Sequence, residues 1–321
     1  MKRYISFLLV GSALLFALEG VAYEVDTHEK LSETAAKNSI LSSDTDVLKN
    51  LGLLPSIEDN NNLFPNSEGK PRNILNLIKD GANFEDNLSL YRPINHFFNP
   101  LNWTGLTYAG LPLPNWPSLV WALENNGQID GVLGVGKQEF SNRDAREYFF
   151  KALTLPDKQE REKNFGLTFQ TLGHVIHHIQ DMAQPQHVRN DAHLDLPGEL
   201  PGIENPSLYE RYTDRPDVRG RLPFTGYAPV YSAADPTTFN YLPNFWTKIT
   251  GAGLAQFTNA NFVSAGTNFD NPGMFNFPLF DPALRTDMDI QQLCANANPP
   301  CPNPNLTGAM TFFGNWVEER I

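Results

Sequence analysis

The chain has 321 residues, of which 41% are hydrophobic and 19% charged. That apolar share can build a core, and so little charge excludes a disordered chain. Lys and Arg total 24 against 36 Asp and Glu, a net charge of −12, which argues against charge-driven binding of DNA or anionic membrane. It leaves room for a small phosphate pocket, because bound metal ions invert the local field.

Lys2 and Arg3 open the chain, an apolar run extends from Tyr4 to Leu18, and small residues follow at Gly20 and Ala22. This is the layout of a secretory signal over residues 1–22, cut after Ala22 so that Tyr23 comes first. The run is short for a membrane anchor, and no other long apolar stretch follows, so no membrane span is expected after cleavage. A secreted or periplasmic protein is expected, and no Cys beside the cut suggests a lipoprotein.

The remaining residues, 23–321, read as one domain. Asp26 to Leu51 has a helical pattern with Thr27 as its cap. Residues 60–66, opening on three asparagines, form a loop, and Ile74 to Ile78 a short helix ending near Gly81. Pro93 to Pro117, rich in Pro, Asn, Gly and Trp, reads as irregular. Gly131 to Gly136 is a turn and not a phosphate loop. Asp144 to Leu153 and Glu160 to Met182 are helices, the second stopped by Pro185. Pro197 to Asn240 is loop-dominated, Phe245 to Phe262 is helical, and a last helix spans Gly308 to Arg320. With no alternating strand runs the fold class is all-α, a mainly helical chain with long irregular connections. Loops of such length tend to be functional or held by something else, and bound metal ions would hold them. Cys294 and Cys301 flank a Pro/Asn-rich loop; in an oxidising compartment they pair, and two thiols alone do not make a zinc site.

Four of the seven histidines fall between His174 and His187. His177 and Asp181 are four apart and share a helix face, a spacing that suits a metal held by imidazole and carboxylate. After Pro185 the chain can swing His187 back toward the same cavity. His178 points about 100° away from His177, and His174 lies one turn earlier; both read as non-ligands, supporting the site or simply packed.

The string His177-x-x-x-Asp181-x-x-Gln184-Pro185-x-His187 resembles the core motif of the zinc-dependent phospholipase C superfamily, which includes the single-strand-specific zinc nucleases. The resemblance implies a secreted, mainly helical hydrolase of phosphate esters with up to three zinc ions in one cleft. It implies a mature N-terminal residue that binds zinc through its amine and carbonyl, here Tyr23, with His28 on the same ion. It implies a carboxylate before a His-Phe-x-x-Pro context: Asp86 before Asn95-His96-Phe97-Phe98-Asn99-Pro100, with Asp80 and Glu85 as alternatives. It implies a histidine four residues before an acid. Glu210 provides the acid, but Pro206 occupies the histidine's place, and His193 is the substitute.

The ligand sets implied are Asp86, His96, His177 and Asp181 for one ion; Tyr23, His28 and a bridging Asp181 for the second; His187, Glu210 and His193 for the third. The implied reaction is in-line attack of a metal-bound hydroxide on phosphorus, with Asp86 as catalytic residue orienting or deprotonating the water. Arg92 reads either as an exposed loop residue or as a contact for a phosphate oxygen. Phe97, Phe98, Trp103, Tyr108, Trp116 and Trp121 could stack a base, dock an acyl chain or pack the loops. The expected substrate is a phospholipid, with single-stranded nucleic acid or a nucleotide as the alternative; a non-catalytic secreted metal-binding protein is the reading from a different class.

Overall fold

The computed structural model describes residues 25–87, 92–108, 111–112, 115–124, 138–193, 208–221, 242–248, 253–262 and 264. The signal segment and Tyr23, the Gly131–Gly136 turn, Pro206, both cysteines and the helix expected over 308–320 lie outside them. The described part is mainly helical, with two small antiparallel ladders of two residues per strand.

The helix expected over 26–51 is three helices: α1 (Val25–Lys37), α2 (Ile40–Ser43) and α3 (Thr45–Asn50). The breaks have a local cause. The Ser39 hydroxyl accepts from the Leu41 amide and the Asp44 carboxylate from the Asp46 amide, so each residue starts a new helix instead of continuing the old one. Thr27 is no cap; it is buried inside the first turn of α1. Strands β1 (Phe64–Pro65) and β2 (Pro71–Arg72) then pair, Phe64 opposite Arg72.

Helix α4 (Ile74–Asn87) runs straight through Gly81, where an end was expected. Gly81 faces Gly173 of α7 (Lys158–Asp181). A β-carbon on Gly81 would lie 1.9 Å from the Gln170 carbonyl oxygen, and one on Gly173 would lie 2.0 Å from that of Ile78. The two glycines are there because the helix backbones touch, a need that outweighs the roughly 1 kcal/mol a mid-helix glycine costs. The contact brings the last turn of α4, with Glu85 and Asp86, against the second half of α7.

After α4 come a 3-10 turn (Pro93–Asn95), the ladder of β3 (Thr107–Tyr108) with β4 (Leu111–Pro112), and α5 (Ser118–Leu123). Helix α6 (Asn142–Thr154) opens on a Ser141/Asp144 capping box and packs on α7, itself capped by Asp157. Helix α7 ends at Asp181. Pro185 does not terminate it but starts α8 (Pro185–Arg189), since a residue before proline avoids the helical region and Gln184 is extended. The region expected to be loop holds α9 (Leu208–Asp214) and α10 (Pro216–Arg219). The helix expected over 245–262 is only α11 (Leu254–Asn261), preceded by a 3-10 turn at Leu242–Phe245.

Two apolar clusters flank α7. One joins Leu48, Ile57, Ile74, Leu77, Ile78, Phe165 and Phe169; the other joins Phe98, Ala122, Met182, Val188, Trp246 and Ala255. Along α7, between Phe169 and Met182, one face carries polar groups while Leu172, Ile176 and Ile179 pack into the clusters. Among the described residues no helix is long and apolar enough to cross a membrane.

Candidate metal centre

His174, His177, His178 and Asp181 form the i, i+3, i+4, i+7 stripe of α7 that in an ordinary helix would be apolar, and all four are buried. Burying such groups is costly unless they are paired or hold a metal. Against them α4 sets Glu85 and Asp86, α1 sets His28, and the turn after Pro93–Asn95 sets His96, all buried. These groups therefore arrive from four places in the chain.

Asp181 stands at the centre. Its Oδ2 lies 3.4 Å from His177 Nε2 and 3.3 Å from His96 Nδ1. Asp86 Oδ1 lies 3.6 Å from the same His177 nitrogen and 3.5 Å from the same His96 nitrogen, and the two imidazole nitrogens are 3.3 Å apart. Asp181 Oδ1 turns the other way, 3.4 Å from His28 Nε2 and 3.3 Å from His187 Nδ1. Neither oxygen of Asp181 accepts a hydrogen bond. A buried carboxylate set among imidazole nitrogens at such distances belongs to a group that could hold a metal ion.

The far nitrogen of each ring sets its tautomer. His177 Nδ1 meets the Ala82 carbonyl at 2.8 Å, an acceptor only, so Nδ1 carries the hydrogen and Nε2 offers its lone pair to the cluster. His28 Nδ1 meets Gln180 Oε1 at 2.5 Å, while the amide of Gln180 donates to the Ser32 hydroxyl. His28 stacks on His177 with ring centroids 3.6 Å apart, so it groups with Asp86 and His177 as well as with Asp181. Its expected companion Tyr23 lies outside the described residues.

The third group is His187, His193 and Glu210. The structure brings His193 to this group: its Nε2 lies 2.8 Å from Glu210 Oε1 and 3.3 Å from His187 Nε2, and its Nδ1 donates to the Asp191 carbonyl at 3.0 Å. The chain returns because Asn190 takes the left-handed conformation, φ 59°, with its side chain clamped to the Thr107 backbone amide and hydroxyl. Gln184 donates to Glu210.

Burial pushes the His96 imidazole down to about 4, against the pull of Asp181 and Glu85. His177 and His187 are also lowered, again first by burial. Burial alone would raise the Asp181 and Glu210 carboxyls, but the facing imidazoles more than offset it and hold both below their usual values. Neutral imidazoles beside ionised carboxylates are the protonation states that metal ligands need.

Two residues have roles the sequence did not disclose. Arg92 is not an exposed loop residue; it is 5% exposed and donates at 2.5 Å to Glu85 Oε2. Glu85, an alternative ligand by sequence, also receives His174, His178 and Trp121. Asp80, the other alternative, pairs with Arg72 away from the cluster. The available signal was two adjacent acids, Glu85 and Asp86, in one helix turn, with five residues between them and Arg92. Of the aromatics, Phe97, Phe98 and Trp121 are buried, with Phe97 against His187 and His193, whereas Trp103 stands 57% exposed at φ 61°.

No protein-family model matches the chain, and no curated protein or solved structure matches it.

Proposed function

We propose that this chain is an exported zinc-dependent phosphoesterase of the phospholipase C and zinc nuclease type, cutting phospholipids. The observation that carries the reading is the spacing of the donor atoms of Asp86, His96, His177 and Asp181. Zinc binds nitrogen and carboxylate oxygen tetrahedrally at about 2.0–2.1 Å, which puts neighbouring donors roughly 3.3–3.4 Å apart. The five donor distances given above run from 3.3 to 3.6 Å. Hard and borderline donors without a thiol suit zinc, and the continuous arrangement through Asp181 to His28 and through His187 to His193 and Glu210 supports up to three ions.

Zinc, when bound, supplies a water of lowered pKa and positive charge against phosphate oxygens. This chain's residues do the rest. His28, Asp86, His96, His177, Asp181, His187, His193 and Glu210, with the Tyr23 backbone, would hold the ions. Asp86 orients the attacking water and takes its proton on a carboxylate oxygen. Asp181, with one oxygen facing each side, would be shared between two ions.

One observation favours lipid over nucleic acid. From Pro93 to Leu123 the chain holds no Asp, Glu, Lys or Arg, in a protein of net charge −12. That uncharged segment carries His96 and exposes Leu101 (64%) and Trp103 (57%). A single-stranded polyanion would call for cations there; an uncharged rim with an exposed Trp suits a lipid–water interface.

The test is elemental analysis of the secreted, N-terminally sequenced protein together with assays on phosphatidylcholine and on single-stranded DNA. Bound zinc with lipid cleavage is expected. DNA cleavage without lipid cleavage would transfer the protein to the nuclease reading, zinc without either activity to the non-catalytic one, and absence of metal would sink all three.

A further inference from the structure

Glu85 and His178, with His96, form a fourth buried group whose atoms are close enough to hold a metal ion. The hydrogen bonds around it argue for a different use. His178 has both nitrogens engaged: Nε2 lies 3.0 Å from Glu85 Oε1, a carboxylate that only accepts, and Nδ1 therefore takes the Ser118 hydroxyl hydrogen at 3.1 Å. The Ser118 oxygen in turn accepts from Trp246 Nε1 at 3.1 Å. Glu85 Oε1 also accepts from Trp121 Nε1 at 3.1 Å. Glu85 Oε2 accepts from Arg92 Nη2 and from His174 Nδ1, each at 2.5 Å. The Arg92 guanidinium lies over the Trp121 and Phe140 rings, 5.3 Å from each centroid, and also reaches Gln138. A cation already occupies the charge that Glu85 offers, and every Glu85 oxygen has donors.

His96 turns Nδ1 to Asp86, Asp181 and His177, and its Nε2, which has no hydrogen-bond partner in this structure, lies 3.5 Å from Glu85 Oε1. We propose that Glu85 is a positioning residue that orients His96 as a ligand, with Arg92, His174, His178 and Trp121 holding Glu85 in place. A carboxylate behind an imidazole makes Nε2 the protonated nitrogen, leaves Nδ1 as the ligand atom and fixes the ring plane. Arg92 keeps Glu85 from becoming a ligand itself. The inference rests on the proposed zinc centre and adds which residues outside it set its geometry.

The first measurement needs no variant. In the zinc-loaded wild-type protein, histidine nitrogen NMR should show His96 with hydrogen on Nε2 and metal on Nδ1; the opposite tautomer overturns the proposal. The second compares zinc affinity, by chelator competition, and the cobalt(II) d–d spectrum across variants. Glu85→Gln should keep the zinc count at saturation, weaken one site about 10- to 100-fold and shift the cobalt band. Because Glu85→Gln strands Arg92 as a buried unpaired cation, Glu85→Gln/Arg92→Met is made beside it, and the same weakened site is expected. Asp80→Asn, on the same helix but paired to Arg72, should change neither readout. A folded double variant with wild-type affinity and spectrum would reduce Glu85 to packing. Loss of a whole ion at saturation would make Glu85 a ligand and equally overturn the proposal. Absence of zinc from the wild type is a separate result, which removes the centre itself.

Discussion

Asp181 is the residue on which most depends. Each of its oxygens serves a different side, Oδ2 toward His96 and His177, Oδ1 toward His28 and His187. Asp181→Asn replaces one oxygen by a donor NH₂ that repels a cation, so zinc content and activity should fall together, and full occupancy in that variant would contradict the assignment. His174 gives a prediction of another kind. Burial, opposed by Glu85, lowers its imidazole from 6.5 to about 4. The unfolded chain therefore binds more protons than the native one between those values, and stability falls as pH falls through that window. The total is on the order of 3 kcal/mol once pH is below both values. Thermal melts of chelator-treated protein should show wild type losing more melting temperature from pH 7 to 5 than His174→Gln, which cannot titrate. Parallel losses would refute it. His177, Asp181 and His187 were legible because their residue types and spacing are rare by accident. Arg92 and Glu85 were not, since a loop arginine is usually solvated and only the fold reveals the pocket of Trp121 and Phe140 around it.

At the scale of elements, the centre exists because α4 and α7 approach at Gly81 and Gly173. The sequence pattern suggested an end at Gly81, as a lone glycine in a helical run usually does; the close approach of a distant backbone leaves no local trace. Adding one methyl at Gly173 would press it onto the Ile78 carbonyl and push the helices apart. Gly173→Ala should cost about 1–3 kcal/mol by overpacking and lower zinc affinity as well, because Glu85 and Asp86 move with α4. A melting curve and a chelator titration check both, and a variant as stable and as tightly metallated as wild type would show the contact to be slack. The remaining helix boundaries were legible in part. Asn142–Thr154 and Lys158–Asp181 lie within two residues or so of the expected spans. The splitting of 26–51 was not, because Ser39 and Asp44 cap locally inside a run whose apolar pattern continues.

For the whole molecule, the acidic balance and the uncharged segment point the same way. The segment from 97 to 106 is tied to the centre: Phe98 N donates to the His187 carbonyl at 3.0 Å, and the turn beyond it is closed by Trp103 N on the Asn99 carbonyl at 2.8 Å. Its tip leaves Leu101 and Trp103 in solvent, the latter in a left-handed backbone that a bulky side chain rarely takes. Such strain at an exposed aromatic near the proposed centre fits a contact surface better than packing. On the other side of α8, Arg189 donates to the Asn259 and Phe262 carbonyls and Asn259 to Val188, so α11 and Phe262 brace the helix that carries His187 without touching a proposed ion. The finger at 101–103 can thus change without loosening the centre. Trp103→Ser should leave zinc content and turnover of a soluble short-chain phosphodiester near wild type. It should weaken partition to phosphatidylcholine vesicles, with the rate on vesicles falling about 10- to 100-fold, in keeping with the roughly 1.5–3 kcal/mol of a buried aromatic. Vesicle sedimentation and the two assays together decide. Equal losses on both substrates would place Trp103 in the centre's own support, and no loss on either would leave the lipid reading without its surface.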